Sequence, residues 1–361
     1  MNPIRILSPE LTLKGEVDNY LSFSLTQNYH GPGGFQLVLN AKVENAHQLK
    51  LNRLVLPGAE AHKTGIIRHK EISTGDRGEE ILMVKGYTLN AITAQRLTIP
   101  PVDQAQDVIE AQAETVLKHY VQRNCLEVAG MEFPFLTIAA DQHRGPAVKW
   151  FSRYQNLGQE LERISKLTGL GWRIAPDFDT GQWVFDVYQG KDLTAGQSEL
   201  PPVIFSPEFD NVKAQEFVDS LADTATCAVV AGQGEGAERE IALVESGTEG
   251  LDKHVIFVDA RDIEDSADLP GRGESQLAEH SRVRSFQAQV LTKGPFKYGE
   301  DWDVGDVVTV KNPAWGLSMD TRITAVEEVY EAKGVRLNVT FGRELPTLTR
   351  KVKGNLTGKK I

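Results

Sequence analysis

Apolar residues first recur with a period of two. Leu21, Phe23 and Leu25 alternate with small or polar residues, as do Phe35, Leu37 and Leu39, and His30-Gly31-Pro32-Gly33-Gly34 lies between the two runs. That spacing around a turn-forming stretch predicts a β-hairpin. A second hairpin is predicted from Ile66-Ile67 to Ile72 and from Ile81 to Val84, joined through Gly75-Asp76-Arg77-Gly78, whose Gly and Asp tolerate positive φ. Short strands at this interval predict a small barrel or sandwich over the first hundred residues.

The period changes after Pro100-Pro101. Asp103 with Gln106 three residues later reads as a capping-box start, and Val108, Ile109, Ala113, Val116, Leu117, Tyr120 and Val121 keep helical spacing for about four turns. A shorter helix is predicted from Asn156 to Gly169, with Leu157, Leu161, Ile164 and Leu167 as its stripe, Asn156 as its cap and Gly169 as its stop. The period returns to two at Trp172 and Ile174, then at Trp183, Phe185 and Val187, a hairpin around Asp177-Phe178-Asp179-Thr180-Gly181. Beyond Pro201-Pro202 the chain reads as mostly β up to Arg343, with a polar interval near Asp262 to His280 and a short helix over Glu274 to Arg284. Val304 to Val310 reads as a turn entering a strand, and Ile323–Tyr330 with Val335–Phe341 as a last hairpin.

Composition narrows the classes. The chain has 361 residues, 40% hydrophobic and 25% charged, too long for one core and ordinary for a multidomain globular protein. Fifty acids against 39 Lys and Arg give −11, which argues against a general nucleic-acid binder. No run of about 18 apolar residues occurs, and Met1 to Leu7 lacks the pattern of a secretory signal. Two cysteines, Cys125 and Cys227, exclude a disulfide framework and a four-cysteine zinc site. Charge is also uneven. Arg350, Lys351, Lys353, Lys359 and Lys360 stand in a stretch without acid, so the chain before it carries −16. This basic tail reads either as an arm for an acidic neighbour or as a solvated terminus.

Candidate chemistry dissolves on inspection. Gly232-Gln233-Gly234-Glu235-Gly236-Ala237 matches a dinucleotide-binding pattern, with Asp259 after the next apolar run. Glu235 would place negative charge in the phosphate loop, and Arg239 to Glu245 is too short for a crossover helix, so a Gly-rich β-turn is the expectation. Asp177 to Gly181 has its glycine one place early for a calcium loop and Tyr188 where the bidentate Glu belongs. Asp301, Asp303 and Asp306 read as a solvated loop. His62 and His69, seven apart, would face opposite ways on one strand. Cys125 and Cys227 read as packing residues. Gly354 to Lys360 is one residue short of a P-loop, and no G-x-S-x-G elbow occurs. No catalytic, cofactor-binding or metal-binding residue is assigned, and no cofactor is expected.

One stretch carries more. Gly190-Lys191-Asp192-Leu193-Thr194 followed by Pro201-Pro202-Val203-Ile204-Phe205-Ser206-Pro207-Glu208-Phe209-Asp210-Asn211 resembles the most distinctive segment of the siphophage minor tail, or baseplate-hub, proteins of tailed phages and prophages. Ile4 to Leu7, Gly15 to Tyr20, Pro32 to Leu39, Gly65-Ile66-Ile67, Val84 to Leu89, Arg96 to Pro101 and Val230 to Gly236 fall in the same order as in that family. The resemblance spans roughly residues 1–345.

It implies a non-enzymatic structural component of the virion tail, assembled in the bacterial host cytoplasm. Its hub fold is similar to those of contractile tails and type VI secretion, with two small β-barrels per subunit, so that a homotrimer presents a pseudo-sixfold ring to the hexameric tail tube and surrounds the DNA exit channel. Implied partners are the chain itself, tail-tube and distal-tail proteins, a tip, spike or fibre protein, and the tape-measure protein. The fold class expected is therefore mainly β with helical insertions (α+β). It divides into a barrel at 1–100, an α+β middle domain at 101–215, a second barrel at 216–348 and the basic tail at 349–361. Some relatives append a peptidoglycan hydrolase or fibre domain, for which the chain after Phe341-Gly342-Arg343 has no room. The rivals are a tail-tip cell-wall hydrolase or protease, which needs convergent acid/base or metal residues, and a carbohydrate-binding module using an aromatic such as Trp315, since Trp183 sits in strand alternation.

Overall fold

A computed structural model describes residues 3–75, 78–263 and 265–343. The predicted hairpins form. Ser22–Asn28 pairs with Gly34–Asn40, placing Phe23 opposite Leu37 and Leu25 opposite Phe35, and Gly65–Thr74 pairs with Glu80–Thr88. Gly171–Asp177 pairs with Gln182–Tyr188, and Leu317–Glu331 with Gly334–Gly342. In Ser22–Asn28, Gly34–Asn40, Gly171–Asp177 and Gln182–Tyr188 alternate side chains enter a core, as the period of two requires, whereas Gly65–Thr74 buries Gly65, Ile66 and Ile67 in succession.

Most strands join one fourteen-stranded sheet. From one edge its main path runs Val212–Ser220, Val283–Val290, Gly334–Gly342, Leu317–Glu331, Ser22–Asn28, Gly34–Asn40, Glu80–Thr88, Gly65–Thr74, Leu54–Pro57, Ile4–Leu7 and Leu13–Val17. The fifteen-residue strand Leu317–Glu331 is the join. Its second half lies between Ser22–Asn28 and Gly334–Gly342. Its first half pairs with Val307–Asn312, which in turn takes Asp192–Leu193 and Ile204–Phe205 in parallel.

The chain is mostly β with helical insertions, as expected, but the two small β-barrels are not formed as closed barrels. Among the described residues no pairing returns one end of the path to the other. Instead the sheet bends around two separate cores. One holds Ile4, Phe23, Phe35, Leu37, Ile67 and Val84; the other holds Phe205, Phe286, Trp302, Val308, Ile323 and Phe341. A strand long enough to serve both cores makes one sheet where two were expected.

Helix α2, Leu157–Thr168, has the predicted bounds: the Asn156 side chain accepts from the Gln159 amide, and Gly169 stops it at φ 73°. Helix α1 is shorter than predicted, Ala113–Gln122. Asp103 has φ 65° and is no cap, and Asp107–Gln112 is a strand against Ala147–Ser152, with Val108 opposite Phe151 and Ile109 opposite Trp150. The β-branched pair follows the neighbouring strand over the local helical spacing. Helix α3 begins earlier than predicted, at Leu269, and ends at Glu279. Pro270 lies in its first turn, where a missing N–H costs nothing. Gly273 lets it sit on Val230 and Val244, which an added Cβ would meet at 2.6–2.8 Å. Helices α1 and α2 pack with Trp172, Trp183 and Phe185 around a third core, and α3 covers a fourth.

Candidate functional site

The 190–211 stretch gathers with residues from three other parts of the chain around Tyr29. The Tyr29 hydroxyl donates to the Gly169 carbonyl at 3.0 Å and lies 3.3 Å from that of Tyr188; it accepts from the Gly190 amide at 3.4 Å. Arg322 reaches the same hydroxyl at 3.4 Å and the Gly305 carbonyl at 2.5 Å. Glycine is required at two of these positions. A Cβ on Gly190 would lie 1.8 Å from the Gly305 oxygen, and one on Gly305 would lie 2.3 Å from the Tyr29 ring. Asp306 is 4% exposed and accepts from the amides of Lys191 at 2.7 Å and Asp303 at 2.8 Å. Burial raises its carboxyl above the ordinary range, against those amides. The acidic triplet is thus not simply a solvated loop: its last member is a buried bracket for the 190–194 turn.

Burial also raises the Tyr29 phenol. Burial, with Lys166, Arg322 and Arg343 nearby, pushes His30 down to about 3, so its ring is neutral at physiological pH; its Nδ1 lies 2.7 Å from Ser165 Oγ. Part of the remaining stretch is held in the same way. Asn211 accepts from the Ser206 amide and donates to the Ile204 carbonyl, while Phe205 packs 5.3 Å from Trp302 and 5.2 Å from Phe341. What this arrangement does is hold four segments in register.

A cleft of about 560 Å³ lies between Ala147–Ser152, α2, Phe257–Asp259 and α3. Three of the four carboxylates that line it, those of Glu160, Asp259 and Asp262, are engaged, and Glu274 is the fourth. Glu160 accepts from Trp150 Nε1 at 2.8 Å and from Arg163 at 2.7 Å; Asp259 pairs with Arg239 at 2.5 Å and Asp262 with Arg272 at 2.8 Å. Lys149–Asp268 and Arg163–Glu279 pairs tie its two walls together.

The motif residues are dispersed. Gly232 to Gly236 forms the turn after Cys227–Ala231, and Arg239 donates to the carbonyls of Ala231 and Gly232. Asp177 accepts from the Asp179 and Thr180 amides, an Asx turn. His62 lies in the turn Ala61–Lys63 and His69 on the following strand. Cys125, Cys227 and Trp183 are buried, whereas Trp315 is 52% exposed. The basic tail and the Gly354–Lys360 stretch lie outside the described residues. Among the described residues no cluster of three His, Cys, Asp or Glu side chains is placed to hold a metal, and no helix is long and apolar enough to cross a membrane.

Sequence reasoning missed the Tyr29 junction and two buried ion clusters. Glu114, fully buried, accepts from Lys118 at 2.7 Å and from Arg144 at 2.8 Å. Lys63 pairs with Glu328 at 2.7 Å, both buried, across the seam between the two halves of the sheet. Only the i, i+4 spacing of Glu114 and Lys118 left a signal.

Solved structures share this architecture. The 43 kDa tail protein of prophage MuSo2 from Shewanella oneidensis superimposes with a TM-score of 0.60 at 15% identity, covering 94% of this chain and 98% of that one. The tail protein from Neisseria meningitidis MC58 gives 0.59 at 13%, covering 95% and 97%, and prophage tail protein gp18 from Listeria monocytogenes EGD-e gives 0.55 at 10%, covering 99% of each. The fold is that of phage and prophage tail proteins. At the level of sequence, the chain belongs to the family of Siphovirus ReqiPepy6 Gp37-like proteins, whose model matches residues 3–343. A comparison with curated proteins finds no match.

Proposed function

We propose that this protein is the hub of a phage or prophage tail, a homotrimer that joins the hexameric tail tube to the tip or spike and surrounds the DNA exit channel. The observation that carries the reading is the pair of cores on one sheet, the first built from residues between Ile4 and Val84 and the second from residues between Tyr29 and Phe341. Three chains with two such units each offer six places to a sixfold tube. The segments 1–100, 101–215, 216–348 and 349–361 are the units of this reading. Its partners are the tube and distal-tail proteins, the tip, spike or fibre protein and the tape-measure protein, and its place is the virion tail, assembled in the host cytoplasm. The −16 body suits a channel wall that repels DNA phosphates.

The role is structural and not catalytic. Glu160, Asp259 and Asp262 of the cleft are each held by a cation or an indole N–H, and Gly190, Lys191, Ser206 and Asn211 are held by main-chain hydrogen bonds. Electron cryo-microscopy of the chain assembled with its tail tube tests the proposal: a threefold ring with acidic side chains lining the channel is expected. A single off-axis copy refutes the hub, a basic channel refutes the lining, and clear lysis in cell-wall zymography refutes the non-catalytic role.

A further inference from the structure

A small unit departs from the main sheet between Val212–Ser220 and Val283–Val290. It consists of Ile241–Glu245, Cys227–Ala231 and Val255–Asp259, in that order, with α3 across one face. Ala228, Val230, Ala242, Val244, Ile256 and Val258 point under α3 into the fourth core. The strand period sends their neighbours to the other face. The register aligns Leu243, Val229 and Phe257 in one row, with Ile241 beside Ala231 and Val255 beside Cys227 in the flanking rows. On this face Ile241, Leu243, Val255 and Phe257 are 56–63% exposed. A sheet with one face on a helix ordinarily turns polar residues to water on the other; this one does not.

Its charges are also unusual. The acids at the corners are Glu245 and Asp259, diagonally opposed by the register. Glu245 pairs with Lys253 at 2.7 Å and Asp259 with Arg239 at 2.5 Å.

We infer that this face is a contact surface between copies of this chain. The inference rests on the homotrimer reading and names where its subunits meet. Charge favours a second copy as the occupant. A chain of net −11 repels its own kind, and here both corner acids are paired with the chain's own bases, which lowers the repulsion at the face itself. A nucleic acid or an anionic surface would require unpaired bases, and the corner bases are paired. Area agrees: four such side chains present on the order of 400–500 Å² of apolar surface. That is the apolar share of one side of a standard interface, about 800 Å² per partner and about 60% apolar. In a closed ring the face meets a different patch of the next copy or converges at the axis.

The test uses the full chain. Light scattering over a concentration series compares wild type with Leu243→Glu and Phe257→Glu, with circular dichroism to confirm that each variant is folded. A separate Phe257→Cys chain is treated with a thiol cross-linker and analysed for linked copies. The expected result is a wild-type trimer, subunit affinity weakened roughly a hundredfold or more in both charged variants, and cross-linked copies. A wild-type trimer that persists in both variants, without cross-linking of the Phe257→Cys chain, overturns this surface and leaves the hub reading in place. A wild type that is monomeric alone and with its tube partner removes the trimer reading and this inference with it.

Discussion

If the Tyr29 ring sets the spacing of the central junction, then Gly305→Ala is destabilising and Tyr29 decides by how much. Gly305 has φ 100°, outside the range an L-residue adopts without strain, and the added Cβ would sit 2.3 Å from the ring. The backbone strain is worth about 1–2 kcal/mol and the overlap in a packed core about 1–3 kcal/mol, so a total near 2–5 kcal/mol is expected. The two contributions separate in a double-mutant cycle. In a Tyr29→Leu background the ring is gone, and Gly305→Ala keeps only the backbone cost, giving a coupling of about 1–3 kcal/mol. In a Tyr29→Phe background the ring remains, and Gly305→Ala keeps its full cost while the hydroxyl's bonds to Gly169 and Gly190 are lost. Urea unfolding followed by tryptophan fluorescence measures all six chains. A Gly305→Ala cost below about 0.5 kcal/mol, or costs that simply add with Tyr29→Leu, would refute the reasoning.

Two further outcomes follow from buried groups. Burial acts to raise the Glu114 carboxyl, but hydrogen bonds from Arg144, Lys118 and backbone amides outweigh it and hold the group at about 2; a depressed carboxyl contributes stability above its unfolded value of 4.5 that is lost as pH falls toward 2, so urea midpoints should drop between pH 5 and pH 3, and Glu114→Gln should flatten that fall at a lower overall stability. Burial pushes the Cys125 thiol up to about 12; a thiol reagent at pH 8 should leave Cys125 unlabelled in the folded chain and label it in denaturant, and rapid labelling of Cys125 in the native protein would show that it is not a packing residue.

The parts of the fold legible in the sequence are those decided within about twenty residues. Asn156 and Gly169 bound α2 because a cap and a left-handed stop act on adjacent main-chain groups. The hairpin at Ser22–Asn28 and Gly34–Asn40 follows from two alternating runs around a glycine-rich turn. Where a distant strand intervenes, local pattern misleads. Val108 and Ile109 keep a helical phase with α1, yet pair with Phe151 and Trp150. The helix predicted from Glu274 begins at Leu269 instead, because Pro270 suits a first turn and Gly273 allows a close helix–sheet contact. The 190–211 stretch stood out in the sequence, but its partners Tyr29, Gly305 and Arg322 did not, because each is joined to it only through the folded chain.

By itself, then, the sequence determined the main hairpins, the cap and stop of α2, the uneven charge and the family to which the chain belongs. Tertiary structure alone decided that Leu317–Glu331 lies beside Ser22–Asn28 and makes one open sheet of two expected barrels, that Asp306 is a buried bracket, and that Ile241, Leu243, Val255 and Phe257 face outward together. The reason is physical: alternation states which side of a strand is buried, whereas the neighbour at its edge is chosen by backbone hydrogen bonds, which every residue but proline offers alike.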